Sequence, residues 1–135
     1  TFTGYSQGGL IAAQFAASGD YATEGLITVG APAGQVAVPP DIPYLAIEPA
    51  DDLVPALGGT FSSSDPLIVR RQVFDEPPDP TEPTVPAHRL TRYRDTADLI
   101  DRSPNLRLHD LLGQLSKPRA DNVTSTLFLA ERTHN

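Results

Sequence analysis

Twelve of the chain's 14 prolines lie between Pro32 and Pro86. Proline fixes φ and removes a backbone donor, so this stretch cannot carry long helices. Any regular structure there must be short and fitted between prolines. Two such pieces stand out. Leu26-Ile27-Thr28-Val29 is an apolar run closed by Gly30, and Tyr44-Leu45-Ala46-Ile47 is another, closed by Glu48-Pro49. Short unbroken apolar runs suit parallel strands covered on both faces. Leu67 to Phe74 is a candidate for a further strand. At the extreme of the proline-rich region, residues 75–87 read as an acidic, extended surface loop of polyproline character.

Helical patterns flank this region. Leu10 to Ala17 is apolar or Ala at nearly every position, the mark of a helix buried all round, and Gly19 is its expected stop. Leu90, Tyr93, Ala97 and Ile100 follow a 3-4-3 spacing between charges, which predicts an amphipathic helix over 89–102. Arg94 and Asp98 are placed for an i,i+4 pair. Leu108, Leu111, Leu112 and Leu115 predict a second short helix, and Val123 to Glu131 a strand. Thr1-Phe2-Thr3 reads as the end of a strand. Strands alternating with helices give an α/β fold, a mostly parallel sheet flanked by helices, in a single domain over 1–135.

Composition narrows the function. The chain has no Cys, which excludes disulfides, thiolate metal sites and a cysteine nucleophile. No apolar run approaches the roughly 18 residues of a membrane span. All ten Lys and Arg stand at or after Arg70, so the first 69 residues carry the whole net charge of −7. Backbone contacts to nucleic acid need clustered cations, and the front half has none. That half also repels anionic substrates, but not neutral or cationic ones. No His/Asp/Glu cluster has metal-ligand spacing, and no phosphate loop or dinucleotide fingerprint occurs, so no cofactor is expected. Asn122-Val123-Thr124 matches a glycosylation sequon without further support.

Gly4-Tyr5-Ser6-Gln7-Gly8, followed by Gly9, matches G-x-S-x-G. The bare pattern is common, and its setting between a strand end and a helix gives it weight. A nucleophile elbow needs that strand–turn–helix context, with small flanking residues that let strand and helix close up. Ser6 Oγ then projects above the sheet, and the Gln7 backbone N–H, at the helix start, faces a developing oxyanion. The bland alternative is a glycine-rich loop with a surface serine.

A serine nucleophile needs a base, and the base an orienting carboxylate. Asp51 and Asp52 both follow the strand at 44–47, where such sheets place their sites. The chain has three histidines. His88 precedes a helix and can return to the sheet edge. His109 sits in a Leu-rich helix, where a partly buried structural role is the bland reading. His134 stands beside the C-terminus, where order is poor.

Three segments in order resemble the α/β-hydrolase superfamily, close to its lipase/esterase and cutinase-like branch. Thr3 to Gly9 is similar to the elbow. Thr28-Val29-Gly30-Ala31-Pro32 is similar to the T-x-G-A-P end of the next strand in triacylglycerol lipases. Asp51 to Pro55 is similar to the D-x-V-P that carries the acid there. The resemblance covers most of residues 1–100. It implies a Ser6–Asp52–His88 triad, with Asp52 preferred over Asp51 because it directly precedes Leu-Val-Pro, and with His88 in an H-x(4)-Y setting. It implies a serine hydrolase that cleaves carboxylic esters, of a small molecule or a lipid, through an acyl-enzyme. Secretion or a cell-surface location follows only by the same analogy. An acyltransferase on the same scaffold, or a non-catalytic interaction module, is the competing expectation. Because the elbow begins at residue 4 and the chain holds no Met, the resemblance also implies that the N-terminal strands of the sheet lie outside this chain. Such a C-terminal part is expected to be poorly stable and inactive alone.

Overall fold

The computed structural model describes residues 1–76, 86–116 and 124–129. Strands β1 (Phe2–Tyr5), β2 (Leu26–Val29), β3 (Tyr44–Ile47) and β4 (Leu67–Val69) form one sheet in the order β1-β2-β3-β4. All three pairings are parallel, with Phe2 opposite Leu26, Leu26 opposite Tyr44, and Leu45 opposite Leu67. The two apolar runs bounded by glycine and proline are the central strands, and β3 is buried along its whole length. No strand lies beyond β1 among the described residues.

Two layers cover the sheet, as expected of an α/β fold. Helix α1 (Gln7–Ser18) joins β1 to β2. Its buried residues Ala12, Ala13 and Ala16 pack with Leu26, Tyr44 and Ala46 on one face. Helices α3 (Leu90–Asp101) and α4 (Leu106–Leu115) cover the other, where Tyr93, Ile100 and Leu108 meet Leu45 and Ile47. Leu45 and Ile47 thus face one layer while Tyr44 and Ala46 face the other, the period-2 alternation of a strand buried on both sides. A short helix α2 (Leu53–Ala56) follows β3, and a 3₁₀ turn at Pro86–His88 leads into α3.

Several expectations need correction. Helix α1 is not buried all round. Ile11 and Phe15 are 46% and 43% exposed, because Gly9, Ala12, Ala13 and Ala16 make up the buried face. Gly19 does end it, in the left-handed conformation at φ 76°. In α3 the buried stripe is Tyr93, Thr96 and Ile100, while Leu90 and Ala97 point outward. No ion pair joins Arg94 to Asp98. The strand predicted over Leu67–Phe74 stops at Val69. Beyond it Ala50 N–H donates to the Arg71 carbonyl, and the Asp51 carboxylate takes the amides of Val73 and Phe74, so a side chain replaces the ladder. Residues 124–129 form no strand, and the rest of that predicted element lies outside the described residues. Residues 77–85 of the proline-rich loop, the sequon's Asn122 and His134 also lie outside them.

Candidate active site

The ends of β1, β2 and β3 deliver three turns to one edge of the sheet, the edge where parallel α/β sheets place their sites. Ser6 N–H donates to the Val29 carbonyl at 2.8 Å, and Gly30 N–H to the Ile47 carbonyl at 2.9 Å, so the ladder continues into the turns.

Ser6 is the only non-glycine residue with positive φ among the described residues, at φ 54° and ψ −129°. A conformation of this kind costs about 1–3 kcal/mol and persists only where the surroundings hold it. Here they do. A Cβ on Gly4 would lie 2.2 Å from the Gly8 carbonyl oxygen, and one on Gly9 would lie 2.4 Å from Ala31 Cβ. Strand and helix therefore close on each other only through glycine. Gly8 itself faces open space, so the steric demand falls on Gly4 and Gly9 rather than on both glycines of G-x-S-x-G.

Ser6 is also the N-cap of α1, where a serine oxygen ordinarily accepts an N–H from the first turn. It makes no such bond. Ser6 Oγ instead lies 2.8 Å from His88 Nε2. The opposite ring nitrogen, Nδ1, lies 2.7 Å from Asp52 Oδ2. With an ionised carboxylate, which can only accept, and a neutral ring, Nδ1 donates to Asp52, Nε2 accepts, and Ser6 O–H donates. This is the protonation state in which a serine can lose its proton to imidazole.

Asp52 is buried and held at both oxygens. As the N-cap of α2 it accepts the Val54 N–H through Oδ1 at 2.9 Å. Oδ2 accepts from His88 and also from the Tyr93 hydroxyl. Burial pushes the Tyr93 phenol far above its ordinary range, and its bond to Asp52 pushes it further. His88 is fixed from a second side. The Tyr5 ring stacks on the imidazole, centroids 5.1 Å apart and planes 20° apart, and the Tyr5 hydroxyl donates to the His88 carbonyl. Burial, with the Asp52 charge behind it, raises the Tyr5 phenol as well. Gly30, at φ 56°, clears the space between these rings. A Cβ there would fall 2.3 Å from Tyr93 Oη and 3.2 Å from His88 Cε1.

Ser6, Asp52 and His88 are thus brought together. Gln7 is the first residue of α1, so its N–H is among those that helix geometry leaves without an intrahelical acceptor, and it adjoins Ser6. The other candidates lie elsewhere. Asp51 is engaged with Val73 and Phe74. His109 is exposed on α4, and its Nε2 donates to the Ser103 carbonyl at 2.6 Å, a contact at the helix entry rather than the partly buried place expected for it. The sequence offers Tyr5 as the variable residue of the elbow, and Tyr93 as a member of the apolar stripe of α3 and of H-x(4)-Y. No local signal foretold the partners of either hydroxyl.

A cavity of about 540 Å³ adjoins Asp52. Asp52, Glu48, Arg70, Phe61 and Ile68 line it, and Ser6 and His88 do not. Glu48 and Arg70 pair there at 3.3 Å. Burial raises the Glu48 carboxyl, and the Arg70 charge opposes the rise. Among the described residues no group of three or more His, Asp or Glu could hold a metal ion, and no helix is long and apolar enough to cross a membrane. Comparison of the chain with known protein families, with curated proteins and with solved structures finds no match.

Proposed function

We propose that this chain is a serine hydrolase of the α/β-hydrolase type, cleaving carboxylic esters through Ser6, His88 and Asp52. One observation carries the reading. A serine in a positive-φ strand–helix turn leaves its capping role and bonds to a histidine whose other nitrogen is held by a buried carboxylate. A structural serine gains nothing from that conformation, and a nucleophile gains exposure above the sheet.

In the reaction His88 Nε2 takes the Ser6 proton as Oγ attacks the ester carbonyl. Asp52 keeps the ring in the required tautomer and stabilises its cationic form. The Gln7 N–H donates to the oxyanion. The tetrahedral adduct collapses as His88 returns its proton to the departing alcohol, leaving Ser6 acylated. His88 then takes a proton from water, whose oxygen attacks the acyl carbon, and the carboxylic acid leaves with Ser6 restored.

A fluorophosphonate probe tests this directly. The full-length protein should be labelled at Ser6, and Ser6→Ala should remove the label. Labelling that survives in Ser6→Ala defeats the assignment, and a protein with no labelled serine at all favours a non-catalytic role. Ester turnover with and without a competing alcohol separates hydrolysis from acyl transfer.

A further inference from the structure

We infer that Tyr93 is a positioning residue that sets the basicity of His88 through Asp52. The inference rests on the reading of His88 as the base. No step above uses the Tyr93 hydroxyl, yet that hydroxyl shares Asp52 Oδ2 with the imidazole.

The sharing has a physical consequence. A carboxylate beside an imidazole favours the charged ring and raises its pKa. A second donor on the same oxygen disperses the negative charge and brings the positive end of its O–H dipole toward the ring. Both effects weaken the pull on the imidazolium. The base is kept neutral, and able to accept a proton, at a lower pH than Asp52 alone would allow. The Val54 N–H on Oδ1 and the Tyr93 hydroxyl on Oδ2 also fix the carboxylate plane.

The surroundings suit a permanent donor. Tyr93 is 2% exposed, packed with Leu45, Ile47 and Ile100. Its phenol, raised above the ordinary value of 10.0, stays protonated across the range in which an imidazole titrates. Gly30 supplies the room in which phenol and imidazole meet the same carboxylate. Few other charges act here. From β1 comes Tyr5, a neutral phenol stacked on the ring. From the end of β3 comes Glu48, paired with Arg70. Asp51 binds the amides of Val73 and Phe74. Next to His88 itself, Arg89 is exposed and the Arg92 guanidinium lies 5.2 Å from the centre of the Phe74 ring.

The test is an NMR titration of the His88 ring Cε1–Hε1 signal in the wild-type protein and in Tyr93→Phe, with a His88→Gln sample to assign it. This variant keeps the ring and removes only the hydroxyl. The His88 pKa should rise by about one unit, in line with the usual effect of a hydrogen bond to a carboxylate, while His109 should titrate as before. In turnover, the acidic limb of kcat/KM should move up by the same amount. A His88 pKa that is unchanged or lower in a folded Tyr93→Phe overturns the inference. If Tyr93→Phe does not fold, 3,5-difluorotyrosine at position 93 replaces it. That stronger donor should lower the His88 pKa, and no downward shift overturns the inference equally. The titration needs no turnover. Failure of Ser6 labelling therefore counts against the hydrolase reading alone, and failure of the His88 shift against the role of Tyr93 alone.

Discussion

Asp51 and Asp52 are neighbours in the chain with opposite allegiances. The Asp51 carboxylate binds the amides of Val73 and Phe74, and the Asp52 carboxylate binds His88, Tyr93 and Val54. Their substitutions should separate accordingly. Asp51→Ala should lower stability by about 1–3 kcal/mol, the usual cost of losing charge-assisted bonds to backbone donors, and should leave Ser6 labelling intact. Asp52→Asn should cut ester turnover by about 10⁴, as loss of the orienting carboxylate does in serine triads. Urea midpoints and kcat for the two variants decide the matter, and a reversed pattern would assign the acid to Asp51.

The two glycines of the elbow should behave differently. Gly4→Ala places a Cβ against the Gly8 carbonyl at 2.2 Å and should disrupt folding or shift Ser6 out of place. Gly8→Ala meets nothing within 4 Å and lies in the first turn of α1. It should be neutral or raise stability, by up to about 1 kcal/mol from helix propensity. Melting temperatures and fluorophosphonate labelling of the pair provide the check.

Ser6 offers a stability measurement independent of turnover. Its φ of 54° is a conformation glycine adopts freely. Ser6→Gly should therefore be more stable than Ser6→Ala by roughly 1 kcal/mol, although both lose the hydroxyl. Equal unfolding free energies would mean that the turn stores no strain.

Glu48 should impose a pH dependence of its own. Burial raises its carboxyl above the ordinary value of 4.5 in the folded protein. Over the interval between those two pKa values the folded state binds more protons than the unfolded state, so stability falls as pH rises. The contribution is fully present below 4.5 and is lost as pH passes the raised value. Glu48→Gln should flatten this part of the curve. Urea unfolding of wild type and variant between pH 4 and 8 measures the difference, and parallel curves would show that Glu48 is no more perturbed folded than unfolded.

How much of this was legible in the sequence depended on how local its cause was. The central strands could be read because each is an apolar run four residues long, closed by glycine or proline. The Ser6 turn could be read because its glycines stand within five residues of it. The end of β4 could not, since it depends on the Asp51 carboxylate reaching Val73 and Phe74 from 22 and 23 residues away. The face of α3 could be read in part. Spacing pointed to Leu90, Tyr93, Ala97 and Ile100; Tyr93 and Ile100 are buried, with Tyr93 bonded to Asp52, but Thr96 shares their face in place of Leu90 and Ala97. The grouping of Ser6, His88 and Asp52 was implied by the resemblance of three ordered segments, whereas the residues alone left Asp51 beside Asp52 and three histidines open. The hydroxyl contacts of Tyr5 and Tyr93 span 83 and 41 residues, and only the folded chain discloses them.

The Tyr5 contact also bears on mechanical coupling. Ser6 and His88 are 82 residues apart in the chain. Tyr5, bonded covalently to Ser6, grips the backbone of His88 through its hydroxyl and the imidazole through its ring. A displacement of the end of β1 would therefore move Ser6 and His88 together. The Ser6–His88 spacing is thus tied by one residue of β1, and not only through the chain that runs between them.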